Sequence, residues 1–414
     1  AIRGFDQVTR VFDTATGKDL ATLSDLQDKP PANAGFVVAA PAVYGGNTSP
    51  VLSRDGTALA IAGGMAPGGF GYSATPNDNA IRMWNIARGK KPRRFDPQGV
   101  GIAAMTFTPD GRIIASGNFD GSITLWEALT GKECMRIKAK GPVMLQAQAP
   151  RAGVVISMMG GNGPSMPAAT IAISADGRNL AVGSSDGSVR LCDLRTGQEL
   201  GVFTGHQSAV LSVAFAPDNQ TIVSGSTDTT GLVWDGGPPM KKRPAAIKLT
   251  AADVDRLWQD LAADPVKAFQ AVTALSGAPQ PALDLLKRHL KPAPGVDPAH
   301  LAQLAADLDS KDFRIRQKAN AALEKLGELA EPALRKVLNK DTSLETRRRV
   351  ERLLELIVND QTPSPAVQRS LRSVWVLEQL QAPEARQLLQ TLAAGAPGDR
   401  LTRDAQAALK RMGG

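Results

Sequence analysis

Five short segments of this 414-residue chain end in the same way, and that repetition restricts its fold more than any other feature. They are Val8–Asp13, Ala80–Asn85, Ser122–Glu127, Ser188–Asp193 and Thr230–Asp235. Each closes on an aromatic residue or Cys followed by Asp, Asn or Glu. Most alternate apolar and polar residues, the two-residue period of a strand with one buried face. From Phe12 through Trp84, Trp126 and Cys192 to Trp234 the intervals are 72, 42, 66 and 42 residues. The two long intervals carry extra Gly/Pro-rich stretches, near 28–50 or 63–79 and near 147–168, whose composition belongs in loops.

Turn signals recur in the same register. Ser53–Gly56, Thr108–Gly111, Ser174–Gly177 and Ala216–Asn219 each precede an apolar run. Their Asp-Gly or Asp-Asn pairs suit tight hairpins that need positive φ. A second turn stands at Asp120-Gly121 and Asp186-Gly187, and a further Gly at positions 17, 89, 131 and 197. A strand repeat of about 40–45 residues is the period of propeller blades. These segments resemble WD repeats, the four-stranded blades of a β-propeller, and the fullest copy runs from Gly205-His206 to Trp234-Asp235. The resemblance implies a hydrogen-bonded network of His206, Ser224, Asp228 and Trp234 within one blade. The copy ending at Trp126 keeps Ser116 and Asp120 but has Gln98 in place of His, and the copy ending at Cys192 keeps only Asp186. Blade stability is therefore expected to be uneven. The resemblance also implies four full repeats plus one leading strand near Val8, an incomplete ring whose N-terminal blades precede Ala1.

Composition sets the boundary. Only 8 of the 40 glycines lie after Gly236. Residues 1–240 carry 20 Lys/Arg and 19 Asp/Glu, whereas residues 241–414 carry 28 and 21. We therefore read blades over 1–236, a Gly/Pro-rich linker over 237–249 and helices over 250–414. Thr250 and Asp253 have N-terminal capping character, followed by Val254, Leu257, Trp258 and Leu261 on one face. Asp297-Pro298 starts another helix, with Leu301, Leu304, Ala305 and Leu308 on one side. Second helices are expected at Glu331-Pro332 and Pro383-Glu384. The pattern Ala319-x-x-Ala322-Leu323-x-x-Leu326 returns as Ala405-x-x-Ala408-Leu409-x-x-Met412, 86 residues on. That offset is about two helical hairpins of ~40–47 residues. The region resembles HEAT-like repeats, with helices over 250–290 as a lead-in. The whole chain looks like a large bacterial WD-repeat protein that ends in a HEAT-like region.

Several function classes recede on composition. Three histidines and two cysteines leave no room for a four-cysteine zinc site or a disulfide framework, and no cofactor or metal is expected. No stretch reaches the ~20 apolar residues of a membrane span. No targeting signal is read, so the compartment stays open, as does the oligomeric state. Thr16-Gly-Lys18 and Thr130-Gly-Lys132 are followed by Asp19 and Glu133, which a phosphate loop would not tolerate, so they read as repeat-derived turns. The glycine clusters at 63–71 and 160–163 read as loop insertions. His206, Asp228 and Ser224 hold the elements of a hydrolase triad, but Ser224 falls inside a strand and not on an exposed elbow, so no catalytic residue is assigned. Cys192 stands at a Trp position and reads as a small buried residue.

Arg347, Arg348, Arg349 and Arg352 form a basic cluster on one helix, with Glu345 placed four residues before Arg349. A solvated face is the plainer reading, and contact with an acidic partner is the sharper one. Trp258, Phe269, Phe313 and Trp375 are expected on apolar helix faces, which places nucleic acid lower among partners. The expected function is a non-catalytic scaffold that presents propeller loops and a helical groove to proteins or peptides. The alternatives are a hydrolase or lyase built on the repeats, and nucleic-acid or acidic-partner binding through the basic helices.

Overall fold

The computed structural model describes residues 2–3, 8–12, 16, 18–24, 50–62, 80–86, 92–97, 101–118, 120–138, 170–240, 249–338, 343–358 and 362–413. The glycine clusters at 63–71 and 160–163, Gly17, Gly89 and Gln98 lie outside these residues. The chain divides into two compact units, Ala1–Pro244 and Ala245–Gly414.

Among the described residues the first unit holds five small antiparallel sheets. Strands β1 (Ile2–Arg3), β2 (Val8–Phe12) and β3 (Asp19–Ser24) form the first; β4 (Val51–Leu52), β5 (Ala58–Ala62), β6 (Ile81–Asn85) and β7 (Arg93–Phe95) the second. The third joins β8 (Ile102–Phe107), β9 (Ile113–Asn118), β10 (Ile123–Glu127) and β11 (Lys132–Ile137). The fourth joins β12 (Thr170–Ile173), β13 (Asn179–Gly183), β14 (Val189–Asp193) and β15 (Glu199–Phe203), and the fifth β16 (Val210–Phe215), β17 (Thr221–Ser226) and β18 (Gly231–Asp235). Strands pair in sequence order within every sheet. The leading element is thus a three-stranded sheet and not the single strand expected near Val8. A two-residue strand such as β1 is too short to leave a period in the sequence.

The apolar layers lie between sheets. Val11 packs with Leu59, Ile61 and Trp84; Phe95 and Ile81 pack with Ile102, Met105 and Trp126; Leu191 and Leu200 pack with Val210 and Ile222. First strands of successive sheets are neighbours, β4 with β8, β8 with β12 and β12 with β16. This stacking explains two burial patterns. Every residue of β9 and β10 is buried, because the third sheet is covered on both faces. In β18 exposure alternates, because only one face of the fifth sheet is covered; Val233 on the other face is 70% exposed.

Gly56, Gly111, Gly177 and Asn219 close the turns between first and second strands with φ of 69°, 70°, 68° and 59°. In three of them a hydroxyl donates to the turn carboxylate: Ser53 to Asp55 at 2.6 Å, Thr108 to Asp110 at 2.5 Å and Ser174 to Asp176 at 2.5 Å. Asn219, the non-glycine of the set, accepts through Oδ1 from the Asp176 N–H at 3.0 Å and so ties the last turn to the one before.

Helix α1 (Gly237–Met240) follows β18 directly. The second unit comprises α2 (Ala251–Asp260), α3 (Pro265–Ser276), α4 (Pro279–His289), α5 (Pro298–Asp307), α6 (Phe313–Leu326), α7 (Glu331–Leu338), α8 (Leu344–Val358), α9 (Pro365–Leu380), α10 (Pro383–Ala393) and α11 (Arg400–Gly413). Thr250 and Asp253 form a reciprocal capping box, and Asp264, Asp297 and Asp312 cap α3, α5 and α6. Helices α5–α8 surround Leu304, Leu308, Leu323, Leu334, Val350 and Leu353. Helices α2–α4 are more than a lead-in. They pack against α9, which is buried from Leu371 through Glu378. The buried Arg372 guanidinium donates to the carbonyls of Leu261 and Ala263 at 2.8 and 3.0 Å, answering two acceptors at the C-terminal end of α2. A strict solenoid, in which each repeat touches only its neighbours, would not bring residues 261 and 372 together.

Candidate functional site

The fifth sheet brings together all four residues of the expected network. His206 enters from the segment before β16, Ser224 lies on β17, Asp228 in the following turn and Trp234 on β18. Ser224 and Trp234 are placed on one face by the β17–β18 register, which pairs Ile222 with Trp234 and Ser224 with Leu232. His206 Nε2 and Ser224 Oγ are 2.8 Å apart, and Trp234 Nε1 donates to the same hydroxyl at 2.8 Å. His206 Nδ1 meets Thr230 Oγ1 at 2.8 Å and Asp228 Oδ2 at 3.3 Å.

The carboxylate is occupied in turn. Asp228 accepts from the Thr230 hydroxyl at 2.6 Å, the Thr230 N–H at 2.9 Å and the Gln207 N–H at 2.7 Å. The Thr230 hydroxyl bond is the main reason its acidity rises, holding it well below the usual carboxylate range; the two backbone donors and the nearby imidazole add to this. Thr230 is the member that sequence reasoning missed. Its signal was present, because Asp228-x-Thr230 occupies the place of Asp120-x-Ser122 and Asp186-x-Ser188, where the hydroxyl also donates to the carboxylate at 2.6 Å.

The arrangement does not suit nucleophilic attack. Ser224 is 2% exposed, its oxygen accepts the indole N–H, and no open face remains for a substrate carbonyl. The third sheet makes a related cluster with other residues. Trp126 Nε1 donates to Ser116 at 2.9 Å, while the Asn118 amide donates to Ser122 at 3.0 Å and Thr124 at 2.9 Å. In the fourth sheet Cys192 is a buried free thiol, pushed up to about 12 by loss of solvent.

The basic cluster lies on α8, and the structure separates its members. Arg349 bridges Glu345 at 2.6 Å and donates to the Leu308 carbonyl at 2.8 Å. Arg347, Arg348 and Arg352 are exposed. Phe313 does not lie on an apolar face as expected. It is 65% exposed at the start of α6, with the Arg316 guanidinium 5.7 Å from its ring centroid. Lys241-Lys242-Arg243 lie outside the described residues. Among the described residues no cluster of His, Cys, Asp and Glu has metal-site geometry, and no helix is long and apolar enough to cross a membrane.

The WD domain, G-beta repeat model matches residues 89–127, 162–193 and 197–235, which end at Glu127, Asp193 and Asp235. The chain carries WD repeats. Several eukaryotic proteins are similar: WD repeat-containing protein SL1-17 of Schistosoma mansoni is 26% identical over 158 residues, 38% of this chain and 44% of that protein. Angio-associated migratory cell protein of Homo sapiens is 25% identical over 169 residues, 36% of this chain and 39% of the relative. One chromatin assembly factor 1 subunit, of Mus musculus, is 28% identical over 175 residues, 41% and 30% respectively. The chain thus spans less than half the length of these relatives.

Proposed function

We propose that this WD-repeat chain is a non-catalytic interaction scaffold whose blade loops and helical groove hold protein or peptide partners. One observation carries the reading. The residues that most resemble reacting groups, His206, Ser224 and Asp228, spend their hydrogen bonds on one another, on Thr230 and on Trp234. We assign them a structural role: they fix β16, β17 and β18 and leave the loops free for recognition. One relative is itself named as part of an assembly factor, which accords with a partner-holding role.

The finer reading is a bacterial WD-repeat protein with a HEAT-like C-terminal region. In this reading its blades form a sector of a ring, which accords with the exposed row Ala214, Val223 and Val233 on the fifth sheet. The division into blades over 1–236, linker over 237–249 and helices over 250–414 belongs to the same proposal. Cross-linking of the full chain in cell extract, with the linked peptides sequenced, tests it. Partner peptides joined to blade loops or to the helical unit are expected. Recovery of no partner above a mock bait, or turnover in hydrolase and lyase substrate panels, overturns the scaffold reading.

A further inference from the structure

The exposed surface of α6 and α8 has a charge and shape that neither the repeats nor the core requires. The two helices are neighbours, and their N-terminal ends are held together by Asp309, which accepts from the hydroxyls of Ser343 at 3.0 Å and Thr346 at 2.5 Å. On α8 the core takes Thr346, Val350, Leu353 and Ile357. Leu344, Arg348, Arg352 and Leu356 follow at four-residue spacing on the other side, a ridge about 18 Å long at 1.5 Å per residue. Leu344 is 77% exposed and Leu356 40%.

Leu356 also lines a cavity of about 630 Å³ with Leu326, Leu329, Val367 and Leu371. That volume is in the range of pockets that hold bulky apolar groups. Two of its carboxylates are already committed. Glu328 pairs with Arg400 at 2.5 Å and with Arg403, and Asp399 accepts the Leu401 N–H at 2.8 Å. Glu324, also in the lining, disfavours a carboxylate inside, and Leu326, Leu329, Leu356 and Val367 offer an apolar side chain its contact.

Outside the cavity the sign reverses. Arg314, Lys318 and Lys325 on α6, and Arg347, Arg348 and Arg352 on α8, are exposed and make no ion pair with any described residue. The carboxylates in the same condition on these two helices are Glu324, Glu351 and Glu355. Six cations against three anions leave the exposed faces of these two helices positive, next to a cavity of mixed lining in which Leu326, Leu329, Leu356 and Val367 supply the apolar part.

We propose that this surface docks an acidic amphipathic peptide segment of a partner protein. An apolar side chain of the segment fills the cavity beside Leu356, its carboxylates lie over Arg352 and Arg348, and a second apolar residue meets Leu344. The proposal rests on the scaffold reading and gives it a partner chemistry. A peptide is favoured over single-stranded nucleic acid because Leu344 and Leu356 offer no stacking surface, and Phe313 is the only exposed aromatic side chain described on these two helices. It is favoured over an anionic membrane because α8 turns its continuous apolar face to the core.

The test uses the full chain and a fluorescent synthetic peptide with leucines flanking a run of glutamates. Anisotropy should report saturable binding that weakens as salt rises. Replacing the glutamates by lysines, or the leucines by alanines, should abolish it. Arg348→Glu with Arg352→Glu, and separately Ala366→Phe at the exposed cavity mouth, should each weaken binding at least about tenfold. Circular dichroism should show both variants folded as the parent. No binding at low salt, an unchanged affinity in Ala366→Phe, or tighter binding of a single-stranded oligonucleotide or of phosphatidylserine vesicles overturns the proposal. Partners cross-linked elsewhere on the chain, with this probe silent, would sink the docking site and leave the scaffold reading standing.

Discussion

The two units put most of their polar side chains to different uses. In the sheets, His206, Ser224, Ser116 and Asn118 are buried and spent on holding strands to one another. In the helical unit, Arg347, Arg348 and Arg352 stand in solvent, and the groups that hold helices together are mostly aliphatic. The difference follows from geometry. A polar residue on the covered face of a sheet is cut off from water, so it needs a partner inside. A helix in a two-layer stack keeps a free face, and charge gathers there at little cost. Polar networks thus help to hold the strands of a blade together, whereas the exposed charges of α8 are free to serve recognition.

The sharpest break in that comparison is Trp126→Ala. It removes a buried indole that fills the layer between the second and third sheets and donates to Ser116. A loss of about 3–5 kcal/mol is expected in chemical denaturation. A loss under about 1 kcal/mol would show that the blade core tolerates a void there. His206→Ala should cost about 2 kcal/mol, because Ser224 and Thr230 each lose a buried partner. The double-mutant cycle with Trp234→Phe should be non-additive, and additivity would deny that they act as one network.

Acid sharpens the same contrast. Asp228 is more acidic in the folded chain than in the unfolded one, so the unfolded state takes up its proton first. Its contribution is present above the ordinary carboxylate pKa of about 4 and is lost as pH falls through the lower folded value. The stability gap between the parent and Asp228→Asn should therefore narrow as pH falls from neutral into acid. A gap that is flat or widens in that direction would contradict the assignment. Smaller still is Cys192: its thiol, raised to about 12, should resist alkylation at neutral pH until the blade unfolds. At the low end, Arg348→Glu should change stability by less than about 0.5 kcal/mol, which separates a binding surface from a structural one.

The blades were legible because their signals are local. Asp-Gly turns and a closing aromatic or Cys recur in the same order, and each carries its own steric or packing reason. Thr230 was harder to see, since its role depends on an imidazole 24 residues away. The helices were legible where caps and stripes agree, as at Thr250 and Asp297. The burial of Arg372, Ser373 and Glu378 on α9 was not, because polar side chains carry no local signal of the neighbours that cover them, here α3, α4, α10 and α11. Phe313 was misplaced because aromatics default to cores; it stands six residues before Ala319, off the stripe that Ala319 and Leu323 define.

The bond from Asp176 to Asn219 has a consequence for how the first unit comes apart. The fifth sheet has an open flank and would be the first to fray if each blade were independent. With its hairpin bend stitched across to the adjacent fan, it can peel away only by breaking a cross-blade fastening. Together with the apolar layer between them, that bond should make the last two fans melt as one cooperative block, and Asn219→Gly, which keeps the bend but cuts the stitch, should loosen the turn of the fifth sheet first.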